Sequence, residues 1–141
     1  MIAIVRITGQ LDLENQIVET FNRLNLRKKF NCIVIRNTPE TLGMLKLIEN
    51  FVAYGEIDKK TFEELVKKRG KALGKKKVDF DFIIREFSEG KINKKFSELG
   101  LRDYFALHPP LKGLKSSKKH FPKGVLGNNK EKINDLIRRM L

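Results

Sequence analysis

The apolar residues fall into short blocks whose spacing changes from two to between three and four and back again. Ile2 to Ile7 is almost continuously apolar and rich in β-branched residues, and Thr8-Gly9 ends it. A strand whose two faces are both apolar belongs in the middle of a sheet. Leu13, Ile17, Phe21 and Leu24 follow at spacings of four, four and three, which places them on one face of a helix that Asp12 can cap. Arg27-Lys28-Lys29 forms a basic turn, and Cys32 to Arg36 reads as a second strand. Thr38-Pro39 opens a second helix that runs to about Asn50. Threonine suits the cap and proline the first helical position, where no N–H needs a partner. Phe51 to Tyr54 reads as a third strand closed by Gly55. The order strand, helix, strand, helix, strand predicts a small sheet with two helices packed on one face.

The middle of the chain changes character. Asp58 or Thr61 can cap a helix through Arg69, with Phe62, Leu65 and Val66 inward and Gly70 as its stop. Residues 79–87 fit two periods. Val78, Phe80, Phe82 and Ile84 alternate as in a strand, whereas Phe80, Ile83, Ile84 and Phe87 share a helical face. Asp79 as a cap favours the helix. Ile92 to Leu99 predicts another short helix stopped by Gly100, and Tyr104 to Leu107 a fourth strand ended by His108-Pro109-Pro110. Lys112 to Asn129 reads as a long loop. The last helix, capped by Asn128 or Asn129, carries Ile133, Leu136, Ile137 and Met140 on one face. This gives one domain of 141 residues: a core over 1–57, a helical insertion over 58–100, and a last strand, basic loop and C-terminal helix over 101–141 that complete the core.

A chain of this size can bury enough surface to fold without disulfides or a metal. Its charge points to its partner. Thirty lysines and arginines face seventeen carboxylates, a net charge of +13 and a pI of about 10.0. So many uncompensated positive charges oppose compaction unless a polyanion relieves them, and nucleic acid is the commonest one. The lysines are unevenly spread. Lys67 to Lys77 carries seven basic residues and no acid, and Tyr104 to Lys130 carries six lysines and no carboxylate. A loop as long as 112–129 is uncommon in a compact domain unless it is functional or disordered. This one joins lysines to glycines that let backbone approach a partner closely, and to His108, His120 and Phe121, which could stack on bases or pack on ribose. The plainer alternatives are a solvated loop and, for Arg27-Lys28-Lys29, cations placed on a helix dipole.

Other chemistry finds little footing. The single cysteine, Cys32, sits in an apolar strand and fits a reducing compartment. There is no Cys-x-x-Cys, His-Glu-x-x-His or phosphate-loop glycine pattern. The carboxylate pairs Glu63-Glu64 and Asp79/Asp81 read as solvated surface rather than as an acid–base dyad. No apolar run approaches a membrane span or a signal sequence, so a soluble intracellular protein is expected.

Several segments together resemble the large-subunit ribosomal protein family numbered thirty in bacteria and seven in eukaryotes, and most closely its archaeal form. They are Ile-Val-Arg-Ile-Thr-Gly at 4–9, Leu-Asn-Leu-Arg-Lys at 24–28, Asn37-Thr38-Pro39 with Gly43-Met44, Phe-Val-Ala-Tyr-Gly at 51–55, His108-Pro109-Pro110, Lys119-His120-Phe121-Pro122 and Gly-Val-Leu-Gly at 124–127. The resemblance implies an α+β fold with a β-α-β-α-β core of ferredoxin-like type, an antiparallel sheet with the first strand central, and a helical insertion. It implies a structural role in the cytoplasmic ribosome. The partners would be 23S-type ribosomal RNA near the 5S RNA and neighbouring ribosomal proteins, with no cofactor, no small-molecule substrate, no membrane and no enzymatic activity. The expected RNA contacts are phosphate contacts by Arg27, Lys28, Lys112, Lys115, Lys118, Lys119 and Lys123, and packing or hydrogen bonding by His120. The rival readings are a regulatory or tRNA-directed RNA-binding module outside the ribosome, a nucleic-acid-processing enzyme, and a basic protein on anionic membranes.

Overall fold

The computed structural model describes residues 2–9, 13–71, 79–88, 100–111, 113, 119–121 and 123–141. Among these residues five strands form one sheet in the order β4-β2-β1-β3-β5. They are β1 (Ile2–Arg6), β2 (Asn31–Ile35), β3 (Val52–Glu56), β4 (Phe105–Ala106) and β5 (Gly127–Asn128). The helices are α1 (Asn15–Arg23), α2 (Pro39–Ile48), α3 (Lys59–Arg69), α4 (Phe80–Ser88) and α5 (Ile133–Met140), the last preceded by a 3-10 turn, Lys130–Lys132.

The apolar character of both faces of β1 is explained by a helical layer on each side. Ile2 and Ile4 join Ile33 and Val52 beneath Ile17, Phe21 and Leu24 of the α1 segment and Leu45 and Ile48 of α2. Ala3 and Val5 point the other way, with Cys32, Val34 and Phe105, onto Phe62 and Leu65 of α3, Ile83 and Ile84 of α4, and Ile133, Leu136 and Ile137 of α5. Among the described residues, two helices thus cover one face as expected, and three more cover the other. The helical period prevails in residues 80–88 because Ile83 and Ile84 must both turn inward. Phe87 stacks on Phe62 with ring centroids 4.1 Å apart, while Phe82 is left exposed.

The elements depart from expectation in three places. β3 runs on through Gly55 to Glu56 instead of closing at Gly55. A side chain at Gly55 would collide with Ile133 and the Lys130 carbonyl, so the glycine makes room for α5 and does not end the strand. The 112–129 segment is not loop to its end. Gly127 and Asn128 form β5, which pairs parallel to β3 through Ala53↔Gly127 and makes an otherwise antiparallel sheet mixed. The last helix begins later, after the 3-10 turn, with Asn128 Oδ1 accepting from Lys130 N at 2.9 Å. Asp12 and the expected helix at Ile92–Leu99 lie outside the described residues.

The caps follow residue chemistry. Thr38 Oγ1 accepts from Thr41 N at 3.2 Å at the start of α2, and Asp58 Oδ1 accepts from Thr61 N at 2.7 Å at the start of α3. Burial works to raise the Asp58 carboxyl. The Thr61 amide and hydroxyl, then Arg138 and Lys60, outweigh it and hold the group below its ordinary value. The stabilisation is therefore fully present above the ordinary aspartate pKa of about 3.9 and fades as pH falls through the lower folded value. Asp58→Ala is expected to cost about 1 kcal/mol at neutral pH. In urea titrations the gap to the parent should close in acid.

Candidate nucleic-acid interface

The strand register gathers most of the basic turns at one end of the sheet. β1 finishes there at Arg6, opposite Val52 at the start of β3. β2 starts there, with Val5 opposite Cys32. β4 finishes there, with Asn31 opposite Ala106, and the parallel β5 starts there. The turn carrying Arg27 and Lys28, the Asn50 corner, His108 and the Lys119–Leu126 turn all project from this end.

A short hydrogen-bonded motif aims Arg27 and Lys28. Leu24 caps the end of α1, and Asn25 takes a left-handed conformation with φ 60°. Leu26 N donates to Phe21 O at 2.9 Å and Asn25 N to Asn22 O at 3.2 Å, the paired bonds of a Schellman termination. Leu26 is fully buried beside Phe21 in the same core, so the two residues after it are turned outward and are exposed. Phe30 N then donates to Arg6 O at 2.7 Å, and Phe30 O accepts from Leu107 N at 3.2 Å, which ties the turn to β1 and to the segment after β4.

Arg6 braces this end from inside. It is 3% exposed, and its guanidinium donates to the carbonyls of Leu26 at 2.7 Å, Thr8 at 2.9 Å and Gly9 at 3.2 Å. It also lies 4.1 Å from the centroid of the Phe21 ring. Burial lowers its affinity for a proton, but arginine starts high enough to stay charged. Pattern reading placed Arg6 in an apolar strand without a role. The available signal was one cation inside a block otherwise apolar on both faces.

At the other edge of the same end, the Lys119–Leu126 turn is a built structure. Phe121 N donates to Leu126 O at 2.9 Å, Gly124 N to His120 O at 2.9 Å and Leu126 N to Lys119 O at 3.2 Å. His120 Nε2 meets Asn50 Oδ1 at 2.7 Å, which pins the turn to the corner between α2 and β3. Gly127 has φ 80°, and a Cβ there would stand 2.8 Å from His120 Nδ1, so only glycine fits. Lys119 and Lys123 are exposed on this turn. Lys112, Lys115 and Lys118 lie outside the described residues.

The structure thus brings Arg27, Lys28, Lys119, His120 and Lys123 to one end but not to one point. Three strand spacings, roughly 15 Å, separate the β2 side from the β5 side. That exceeds the screening length of about 8 Å at physiological salt, so the two groups can engage different phosphates independently. One group of carboxylates lies elsewhere. Glu56, Asp58, Glu131 and Asp135 line a concavity with Arg138 beyond the opposite end of β3.

Two residues of the Lys67–Lys77 run, and two that sequence reading did not single out, join Arg27 and Lys28 beside β4. Arg69 and Lys71 from the end of α3, and Arg102 and Tyr104 from the approach to β4, line a cleft of about 500 Å³ with them. Arg102 N donates to Lys71 O at 2.9 Å and holds the two segments together. The Lys67–Lys77 run was a visible signal for two of these residues, but nothing local marked Arg102 as their neighbour.

Burial pushes the Cys32 thiol up to about 12, which leaves it protonated and inert at neutral pH. Among the described residues, no three His, Cys, Asp or Glu side chains converge as a metal site would require. No described helix is long and apolar enough to cross a membrane.

The family model described as ribosomal protein L30p/L7e matches residues 2–52. Over nearly its whole length the chain is similar to proteins named large ribosomal subunit protein uL30. It is 38% identical to that of Archaeoglobus fulgidus, over 99% of each chain. It is 37% identical to that of Nanoarchaeum equitans, over 99% of this chain and 97% of the relative. With the protein of Methanosphaera stadtmanae the identity is 32% over the full length of both.

Proposed function

As the chain belongs to the ribosomal protein L30p/L7e family, we propose that it is a structural constituent of the large ribosomal subunit, binding ribosomal RNA and supporting subunit assembly and translation. The observation that carries the reading is the gathering of exposed cations from separate turns at one end of a rigid sheet, with a carboxylate-lined concavity beyond the other end. Lysine and arginine there neutralise phosphates and release counterions, while the folded body fixes which phosphates they reach. Arg27, Lys28, Lys112, Lys115, Lys118, Lys119 and Lys123 take the phosphate contacts. His120 acts by packing and by its bond to Asn50, which holds Lys119 in place. On this reading the protein sits in the cytoplasmic ribosome, near the 5S RNA and among other ribosomal proteins. It works without a cofactor or a small-molecule substrate, and no catalytic residue enters the account.

Sedimentation tests the assignment against a regulatory or tRNA-directed module. The epitope-tagged chain, expressed in its own host, should remain with large subunits after a high-salt wash. Release of the tagged chain to the top of the gradient, with the other large-subunit proteins retained, would rule the ribosomal role out.

A further inference from the structure

The cleft beside β4 differs in kind from the exposed turns. Lysines on a turn can meet any phosphate, but this site is concave and is assembled from three chain segments. At about 500 Å³ it falls within the range of small-ligand pockets, roughly 300–1,000 Å³. Arg27, Lys28, Arg69, Lys71 and Arg102 give it five cations, and no acidic residue is among the described residues that line it. The Nε of Arg69 is buried and has no hydrogen-bond partner among the described residues, although buried donors are nearly always satisfied. Tyr104 adds an aromatic ring to the wall, and Asn25 and Asn31 add amide groups able both to donate and to accept.

Cations, one aromatic ring and amides in a single concavity match the parts of a nucleotide: phosphate, base face and base edge. We propose that this cleft receives one unpaired, extruded nucleotide of the bound RNA. Its phosphate lies against Arg69 and Arg102, and its base stacks on Tyr104. RNA is read by proteins mainly at such unpaired positions, because the deep groove of its helix hides the base edges. The proposal rests on the RNA-binding reading and adds a specific kind of contact to it.

The chain has no tryptophan and two tyrosines, so Tyr54→Phe leaves Tyr104 as the sole tyrosine emitter. In that background, binding and emission can be followed with a hairpin RNA carrying a single-nucleotide bulge and with the same hairpin fully paired. The bulged hairpin is expected to bind about tenfold more tightly, the value of one stacked base, and it alone should quench the emission. Arg69→Gln and Arg102→Gln should each remove most of that preference, and Tyr104→Leu, made in the parent chain and followed by filter binding, should do the same. Each of these variants should bind purified large-subunit RNA about tenfold more weakly, the value of the lost contact, without losing binding altogether. Equal affinity for the two hairpins with unquenched emission, while large-subunit RNA still binds, would overturn the cleft assignment and leave the RNA-binding reading standing. Failure of the parent chain to bind large-subunit RNA would overturn both.

Discussion

Replacing Arg27, Lys28, Lys119 and Lys123 together with glutamine is expected to weaken binding to large-subunit RNA by on the order of a thousandfold at about 0.1 M salt. It should also flatten the plot of log affinity against log salt by about three units. Each phosphate contact contributes roughly 0.7–0.9 to that slope, and the four side chains are exposed at one end of the sheet, in two groups far enough apart to act independently. Stability should hardly change, since none of the four belongs to either core cluster. Glutamine at Lys59, Lys60, Lys130 and Lys132 removes the same charge from exposed positions near the opposite end, where β3 and β5 finish. If net charge alone governed binding, the two fourfold variants would behave alike. On the geometric account the second loses far less, and filter binding over a salt series separates the two outcomes. Equal losses would mean that the protein presents no particular end to RNA.

The outline of this fold was legible because hydrophobic period is a local property. The two apolar faces of β1 placed it at the centre of the sheet, and Thr38-Pro39 marked the start of α2. The choice at 80–88 needed more than period, since Phe80 and Ile84 satisfy both patterns. Contact with Phe62 of α3 decides it, and that partner lies 18 to 26 positions back in the chain. β5 carries no pattern at all. Gly127-Asn128 is two residues long and becomes a strand only because β3 offers an open edge. Gly55 looked like a stop because glycine is usually read for its backbone freedom, whereas here its missing side chain accommodates Ile133.

The site divides in the same way. Clusters contiguous in sequence, such as Arg27-Lys28 and Lys119-His120, announced themselves by composition. The cleft did not, because Arg27, Arg69 and Arg102 become neighbours only when β4 pairs with β2 and Arg102 bonds to Lys71. His120 was legible as a residue of interest but not in its bond to Asn50, 70 positions away.

Arg6 is where fold and interface meet, and Arg6→Met is expected to destabilise the protein by about 3 kcal/mol. Methionine fills much of the volume but offers no donor. The carbonyls of Leu26, Thr8 and Gly9 would lose the guanidinium, and the Phe21 face would lose its cation, a contact worth about 0.5–2 kcal/mol. The bond to Leu26 O is buried and those to Thr8 O and Gly9 O are partly so, and such bonds are costly to break from one side because an abandoned acceptor stays desolvated. Some relief comes from no longer burying a charge, which keeps the expected loss below the sum of its parts. Arg6→Lys keeps the charge but presents a point where the carbonyls need a fork, so it should recover only part of the loss. Total stability for a domain is usually 5–15 kcal/mol. The methionine variant should therefore still fold, with a melting temperature lower by roughly 10 °C. Its affinity for large-subunit RNA should also fall, although Arg6 is buried beneath the interface, because Leu26 O is the anchor immediately before Arg27 and Lys28. A variant within 1 kcal/mol of the parent in stability would show that the turn is held by its Schellman bonds alone, and the bracing role assigned to Arg6 would be wrong.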